Sequence, residues 1–181
     1  MKKTVLMVLA VGLTALGSVA NAASIGLNLG TDQGGSLGAG DSAGVVAQAN
    51  WNNKSGGSGS ANNLVNNSGV GTTAGVSWTC TAGITWRVGN NGTSTANHKL
   101  MYGYIDPSST GGSATVTLSG IPYSKYDLYV YFNSDNGPGR TGYVTDGTTS
   151  YYFSNVGDSA FPGFLQTTST SSSSNPTANY A

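Results

Sequence analysis

Few residues in this 181-residue chain are equipped for catalysis. All seven acidic residues are aspartates (Asp32, Asp41, Asp106, Asp127, Asp135, Asp146 and Asp158), there is no Glu, and Cys80 and His98 are single instances of their types. A glycosidase can work with two Asp, held at a set separation on either side of the scissile bond. Here the aspartates are spread along the chain, and no local setting argues for a raised pKa. Asp146 is explained by its turn with Gly147, and Asp106 by preceding Pro107. A thiol nucleophile needs an oriented base, and nothing in the spacing brings Cys80 and His98 together. One His and one Cys fall short of a zinc site of the usual type. Gly-x-Ser-x-Gly, His-Glu-x-x-His and Walker patterns are absent. The chain reads as non-enzymatic, with an Asp-dependent hydrolase the lowest-ranked alternative.

Binding chemistry is better represented. Asn50-Trp51-Asn52-Asn53 sets an indole among amides. A ring face can stack on the C–H face of a pyranose while amides pair with its hydroxyls. Trp51 has a second reading, as an anchor fixing its loop to the core. Asp135-Asn136-Gly137-Pro138-Gly139-Arg140 is a second candidate, a Gly/Pro loop at a strand end, where sandwich folds often place function. Arg140 can pair a hydroxyl or a carboxylate, or stay a solvated charge beside Asp135. Asp32 and Asp41 flank a Gly-rich loop and offer oxygen ligands for calcium; Asn133, Asp135 and Asn136 make another oxygen-rich patch. Ordinary turn chemistry accounts for the same residues.

These candidates need a scaffold, and the composition points to strands. Gly, Ser, Thr and Asn make up about half of the chain, and only 8% of residues are charged. That excludes a coiled coil or helical bundle. A formal net charge of zero excludes a basic nucleic-acid surface. Alternating or apolar runs bounded by Gly, Asn, Ser and Pro predict strands over 24–29, 75–80, 84–88, 99–105, 113–118 and 125–132, with a further one over 161–168. Asp146-Gly147 predicts a two-residue hairpin turn between 143–145 and 148–151. Residues 52–63 predict a mobile surface loop, and 167–175 a polar, flexible tract. Trp78, Trp86 and Cys80 fall in strand runs and read as core, the Tyr129/Tyr131 stripe as a packed face, and His98 as a solvated loop residue. The expected fold is an all-β antiparallel β-sandwich of jelly-roll type, with about eight to ten short strands.

Met1-Lys2-Lys3, the apolar run from Thr4 to Leu16, and Ala20-Asn21-Ala22 follow the three-part order of a secretory signal peptide. The run is short for a membrane span. Residues 1–22 are therefore expected to be a leader, and 23–181 one β-sandwich domain of a secreted, extracellular or cell-surface protein, with no membrane span after cleavage. The processed chain would carry five basic residues against seven Asp, a formal charge of about −2. A single Cys allows no intrachain disulfide. Asn175 to Ala181 resumes a strand-like pattern and stops, so the domain is expected to be truncated at its C-terminus, with further domains or a sorting tail in a longer chain.

Taken together, Ile25-Gly26-Leu27-Asn28-Leu29-Gly30, the run Ala43 to Asn53, Lys99 to Asp106, Val116-Thr117-Leu118-Ser119-Gly120-Ile121-Pro122 and Tyr126 to Asn133 resemble the galactose-binding-like β-sandwich domains of secreted bacterial proteins, including those with a PEP-type sorting tail. The resemblance spans most of residues 24–155. It implies a carbohydrate-binding module whose partner is a polysaccharide or other glycan; the contact candidates, read from the residues themselves, are Asn50, Trp51, Asn52, Asp135, Asn136 and Arg140. The alternative is a structural or adhesive surface module without a small-ligand site.

Overall fold

The structure, a computed structural model, describes residues 6–10, 23–108 and 111–181. The fold is all-β and chiefly antiparallel. One sheet has the order β3 (Asn52–Lys54), β2 (Ser24–Leu29), β1 (Leu6–Ala10), β9 (Asp127–Tyr131). A second has the order β4 (Ser58–Ala61), β5 (Gly75–Cys80), β8 (Ala114–Ser119). Two ribbons complete it: β6 (Ile84–Arg87) with β7 (Gly103–Asp106), and β10 (Thr141–Thr145) with β11 (Ser150–Ser154). Only β2 and β3 pair in parallel among the named strands.

The larger hydrophobic cluster joins the first two sheets. Ile25, Leu27 and Leu29 of β2 and Tyr131 of β9 pack in the same cluster as Val76, Trp78 and Cys80 of β5 and Ala114 of β8. This is the layering expected of a sandwich. A smaller cluster of Val130, Phe132, Val144 and Ala178, flanked by Phe153 and Ala181, attaches the β10–β11 ribbon to β9. Within it the rings of Phe132 and Phe153 stack with centroids 3.7 Å apart.

Strand β2 is buried on both faces. Its apolar side chains point into the core, and its other face is covered by the segment running to β3. There Ser24 Oγ donates to Gln48 Oε1, Asn28 Nδ2 donates to Gly35 O at 3.0 Å, and the Trp51 ring lies against Gly26. Gly26 leaves the space for that ring: a Cβ there would lie 2.8 Å from it.

Several expectations change. Residues 52–63 are not a free loop but hold β3 and β4. The glycines make this possible, since Gly59 faces Trp78 across the β4–β5 ladder and leaves room for the indole. The run expected as a strand from Lys99 begins in a short helix, α1 (Ala96–Leu100), because Thr95 caps it by accepting the His98 N–H at 3.3 Å. His98 is accordingly half-buried on a helix, edge-on to Phe161, rather than in a solvated loop. The β10–β11 connection has four residues, 146–149, between the paired Thr145 and Ser150. Asp146 Oδ1 accepts the N–H groups of Thr148 and Thr149, both at 2.8 Å, so the carboxylate itself builds the turn. Residues 161–168 form no strand, only a single bridge at Gln166. Along the run expected as a strand over 125–132, Tyr126, Leu128, Val130 and Phe132 share one face, but only Val130 and Phe132 are buried, and Tyr126 and Leu128 are exposed.

Of the expected leader, residues 1–5 and 11–22 lie outside the described residues, and Leu6–Ala10 is β1. Among the described residues no helix is long and apolar enough to cross a membrane. Residues 179–181 lie along β9: Val130 N–H donates to Ala181 O (2.9 Å), Ala181 N–H to Val130 O (3.0 Å) and Phe132 N–H to Asn179 O (3.0 Å).

Candidate functional site

The two sequence candidates have opposite fates. Trp51 is 5% exposed and sits in the main core, its Nε1 donating to Gln48 O at 2.6 Å. It cannot present a ring to a ligand, and of its two readings the anchor holds. Asn52 is equally committed: Nδ2 donates to Gly26 O and Val65 O, and Oδ1 accepts the Val65 N–H, all at 2.9 Å. Asn50 takes a positive φ of 53° and donates to Asn67 O at 2.9 Å. The Asn50–Asn52 group is a structural latch joining β2, β3 and the 65–67 segment.

Asp135, Asn136 and Arg140, by contrast, lie together on one wall of a cleft of about 540 Å³. The facing surface is the β6–β7 ribbon. In its register Ile84 stands opposite Asp106, and Trp86 opposite Tyr104. Side chains paired across a ladder share a face, and all four line the cleft. Trp86 is 48% exposed and Ile84 is 44% exposed. Trp86, expected in the core, is therefore the aromatic on display. The alternate residue Thr85 turns inward, where its hydroxyl bonds Asp32.

Hydrogen bonds fix the polar wall. The Tyr104 hydroxyl donates to Asp135 Oδ1 at 2.9 Å, and Asn136 Nδ2 donates to the same oxygen at 2.8 Å. Burial, reinforced by the Asp135 carboxylate, pushes the Tyr104 phenol far above its usual range, so it stays a proton donor to Asp135. Asp106 Oδ1 accepts the Ser108 N–H at 2.7 Å. Asn155, at the cleft and 3% exposed, accepts the Arg140 N–H on Oδ1 at 3.0 Å. Its Nδ2 is buried and has no partner among the described residues. The Arg140 side chain is exposed and makes no ion pair among the described residues; the one ion pair there joins Lys99 and Asp41. The cleft thus offers an exposed indole, two carboxylates and a guanidinium.

The calcium candidates are not assembled. Asp41 Oδ2 pairs with Lys99 Nζ at 2.7 Å and accepts the Gly38 N–H at 2.8 Å. Lys99 first, then the Gly38 amide, hold its carboxyl below the usual range. Asp32 accepts from the Thr85 hydroxyl, the Gly56 N–H and Gln33. Burial pulls its pKa upward, but these donors outweigh it and the net shift is downward. Asp32 spends both oxygens, and Asp41 its Oδ2, on this chain's own donors. Among the described residues no group of three or more His, Cys, Asp or Glu side chains is placed to hold a metal ion. Cys80 is buried as expected, its Sγ 3.2 Å from Asp106 O and 3.4 Å from Ile84 O.

No family model, curated protein or solved structure matches this chain.

Proposed function

We infer that the protein is a secreted, non-enzymatic binding module for carbohydrate, and that its ligand lies in the cleft between the β6–β7 ribbon and the Asp135–Arg140 loop. The observation that carries this reading is Trp86, an indole 48% exposed beside hydrogen-bonding side chains of both polarities. A sugar ring offers what such a surface pairs with: an apolar C–H face for the indole, and hydroxyls that donate to Asp106 or Asp135 and accept from Arg140. Tyr104 serves as a positioning residue, because its proton is already given to Asp135. Export is supported by the basic start, the apolar run and Ala20-Asn21-Ala22.

The test is retention of the protein on a panel of insoluble and soluble polysaccharides, comparing the natural chain with W86A. Retention on one glycan class, lost in a W86A protein of unchanged melting temperature, is the expected result. Equal retention by W86A removes the cleft from the argument. A folded chain that is retained on no glycan favours the structural or adhesive module instead. Release of reducing sugar that is abolished by D106N or D135N would replace the binding reading with a hydrolase.

A further inference from the structure

Strands β2 and β9 do not pair with each other. One strand separates them, and it is Leu6–Ala10. That strand is antiparallel to both, with Val8 opposite Gly26 on one side and Tyr129 on the other. The outer edges of β2 and β9 are already taken, by β3 and by residues 179–181. Their inner edges can be satisfied only from the slot between them. Ladder alternation identifies the groups that face it. Val130 exchanges both of its backbone bonds with Ala181, so Tyr129 and Tyr131 turn their N–H and C=O groups into the slot. Ser24 O accepts the Asn67 N–H on the outer side, so Ile25 faces inward. The flanking residues Ile25, Leu27 and Tyr131 are core residues, not surface ones.

Leu6–Ala10 also lies inside the apolar run that follows Lys2-Lys3 and precedes Ala20-Asn21-Ala22. A chain cleaved after Ala22 cannot keep it. We propose that the slot between β2 and β9 is a strand-acceptor site, which in the processed chain takes an extended apolar segment of another polypeptide, antiparallel to both strands. The seated sequence Leu-Met-Val-Leu-Ala defines the chemistry of that segment. Main-chain bonds on two edges provide the affinity, and the apolar surroundings exclude charged segments. The proposal rests on the export reading and is independent of the glycan cleft.

The test is amide hydrogen exchange at Ile25, Tyr129 and Tyr131, in the full chain and in the chain processed after Ala22, with and without a Leu-Met-Val-Leu-Ala peptide carrying flanking lysines for solubility. In the full chain the three amides are expected to be protected, and the peptide not to bind. In the processed chain they are expected to exchange at least about tenfold faster and to regain protection as the peptide is added. A peptide carrying the V8P change, which removes one N–H, is expected to protect less. Should the processed chain fail to hold its fold alone, refolding on peptide addition is the supporting result, and failure of the peptide to restore it overturns the proposal. Full protection without any peptide also overturns it. The intact mass of the exported protein separates the two premises: retention of Leu6–Ala10 overturns the proposal at the export step, whereas loss of those residues with unchanged protection overturns it at the slot.

Discussion

The Tyr104 hydroxyl reaches across from the β6–β7 ribbon to Asp135 Oδ1, 2.9 Å away, and so fixes the separation of the two cleft walls. Y104F deletes this bond and keeps the ring. A hydrogen bond of this kind contributes about 0.5–1.5 kcal/mol net, somewhat more when one partner is charged. Y104F is expected to lower stability by about that amount and to weaken glycan retention more than ring loss at an unrelated surface site would. Because the phenol is pushed upward, retention should show no step from Tyr104 ionisation as pH rises through about 10, where an ordinary phenol titrates. Thermal melts and retention measured through that pH check both statements.

Trp86 and Trp51 should separate function from stability. W86A removes an exposed ring, and its melting temperature is expected to move little, as is usual for surface substitutions (about 0.5 kcal/mol or less). W51A opens a cavity in the main core and frees Gln48 O from its indole donor; it is expected to cost about 3–5 kcal/mol. Denaturant titration of both variants is the measurement. A larger loss for W86A than for W51A would contradict the placement of the two rings.

Gly26 is the point where the covering segment meets β2. In G26A the new methyl group would lie 2.8 Å from Trp51 and 2.7 Å from Gln48 Cγ. Overpacking of this kind costs about 1–3 kcal/mol. The double variant G26A/W51A is expected to lose less than the sum of the single changes, because the clash with the ring disappears and only that with Gln48 remains. A double-mutant cycle in denaturant checks it.

Stability is expected to fall below about pH 4, with Asp32 and Asp41 contributing. Both carboxyls are held below their ordinary value in the folded chain. A lowered pKa favours the folded state at pH values above the unfolded pKa, and that contribution is lost as pH falls through the folded one. D41N removes the Lys99 pair and should flatten the acid limb of a stability–pH curve. The change at pH 7 is expected to stay within about 1 kcal/mol, since the pair is partly exposed and screened by solvent. Added salt should shrink the difference between D41N and the natural chain.

How far the sequence carried the structure depended on whether one segment held the whole answer. The strand runs were sufficient to locate β2, β5 and β8 and to put Trp78 and Cys80 in the core. Asp135, Asn136 and Arg140 were legible because a Gly/Pro loop at a strand end advertises itself. Trp86 was not. Alternation in Ile84-Thr85-Trp86-Arg87 says that two residues share a face, not whether another layer covers it, and here Thr85 faces inward toward Asp32, which lies far from it in sequence. Trp51 was left between two readings for the converse reason: its amide neighbours look solvated in sequence, yet Asn52 satisfies backbone groups of Gly26 and Val65, more than ten residues away. Asn155 could not be singled out at all, since its spare Nδ2 is a consequence of the backbone around Arg140.

The cleft walls belong to different hydrophobic clusters. Tyr104 and Asp106 flank Ile105 of the main cluster, while Phe153 packs with the smaller cluster of Val130, Phe132 and Val144. On the proposed reading, a ligand bridging them would act as a non-covalent staple between the two clusters, and its binding would be read as a rise in melting temperature that grows with ligand concentration.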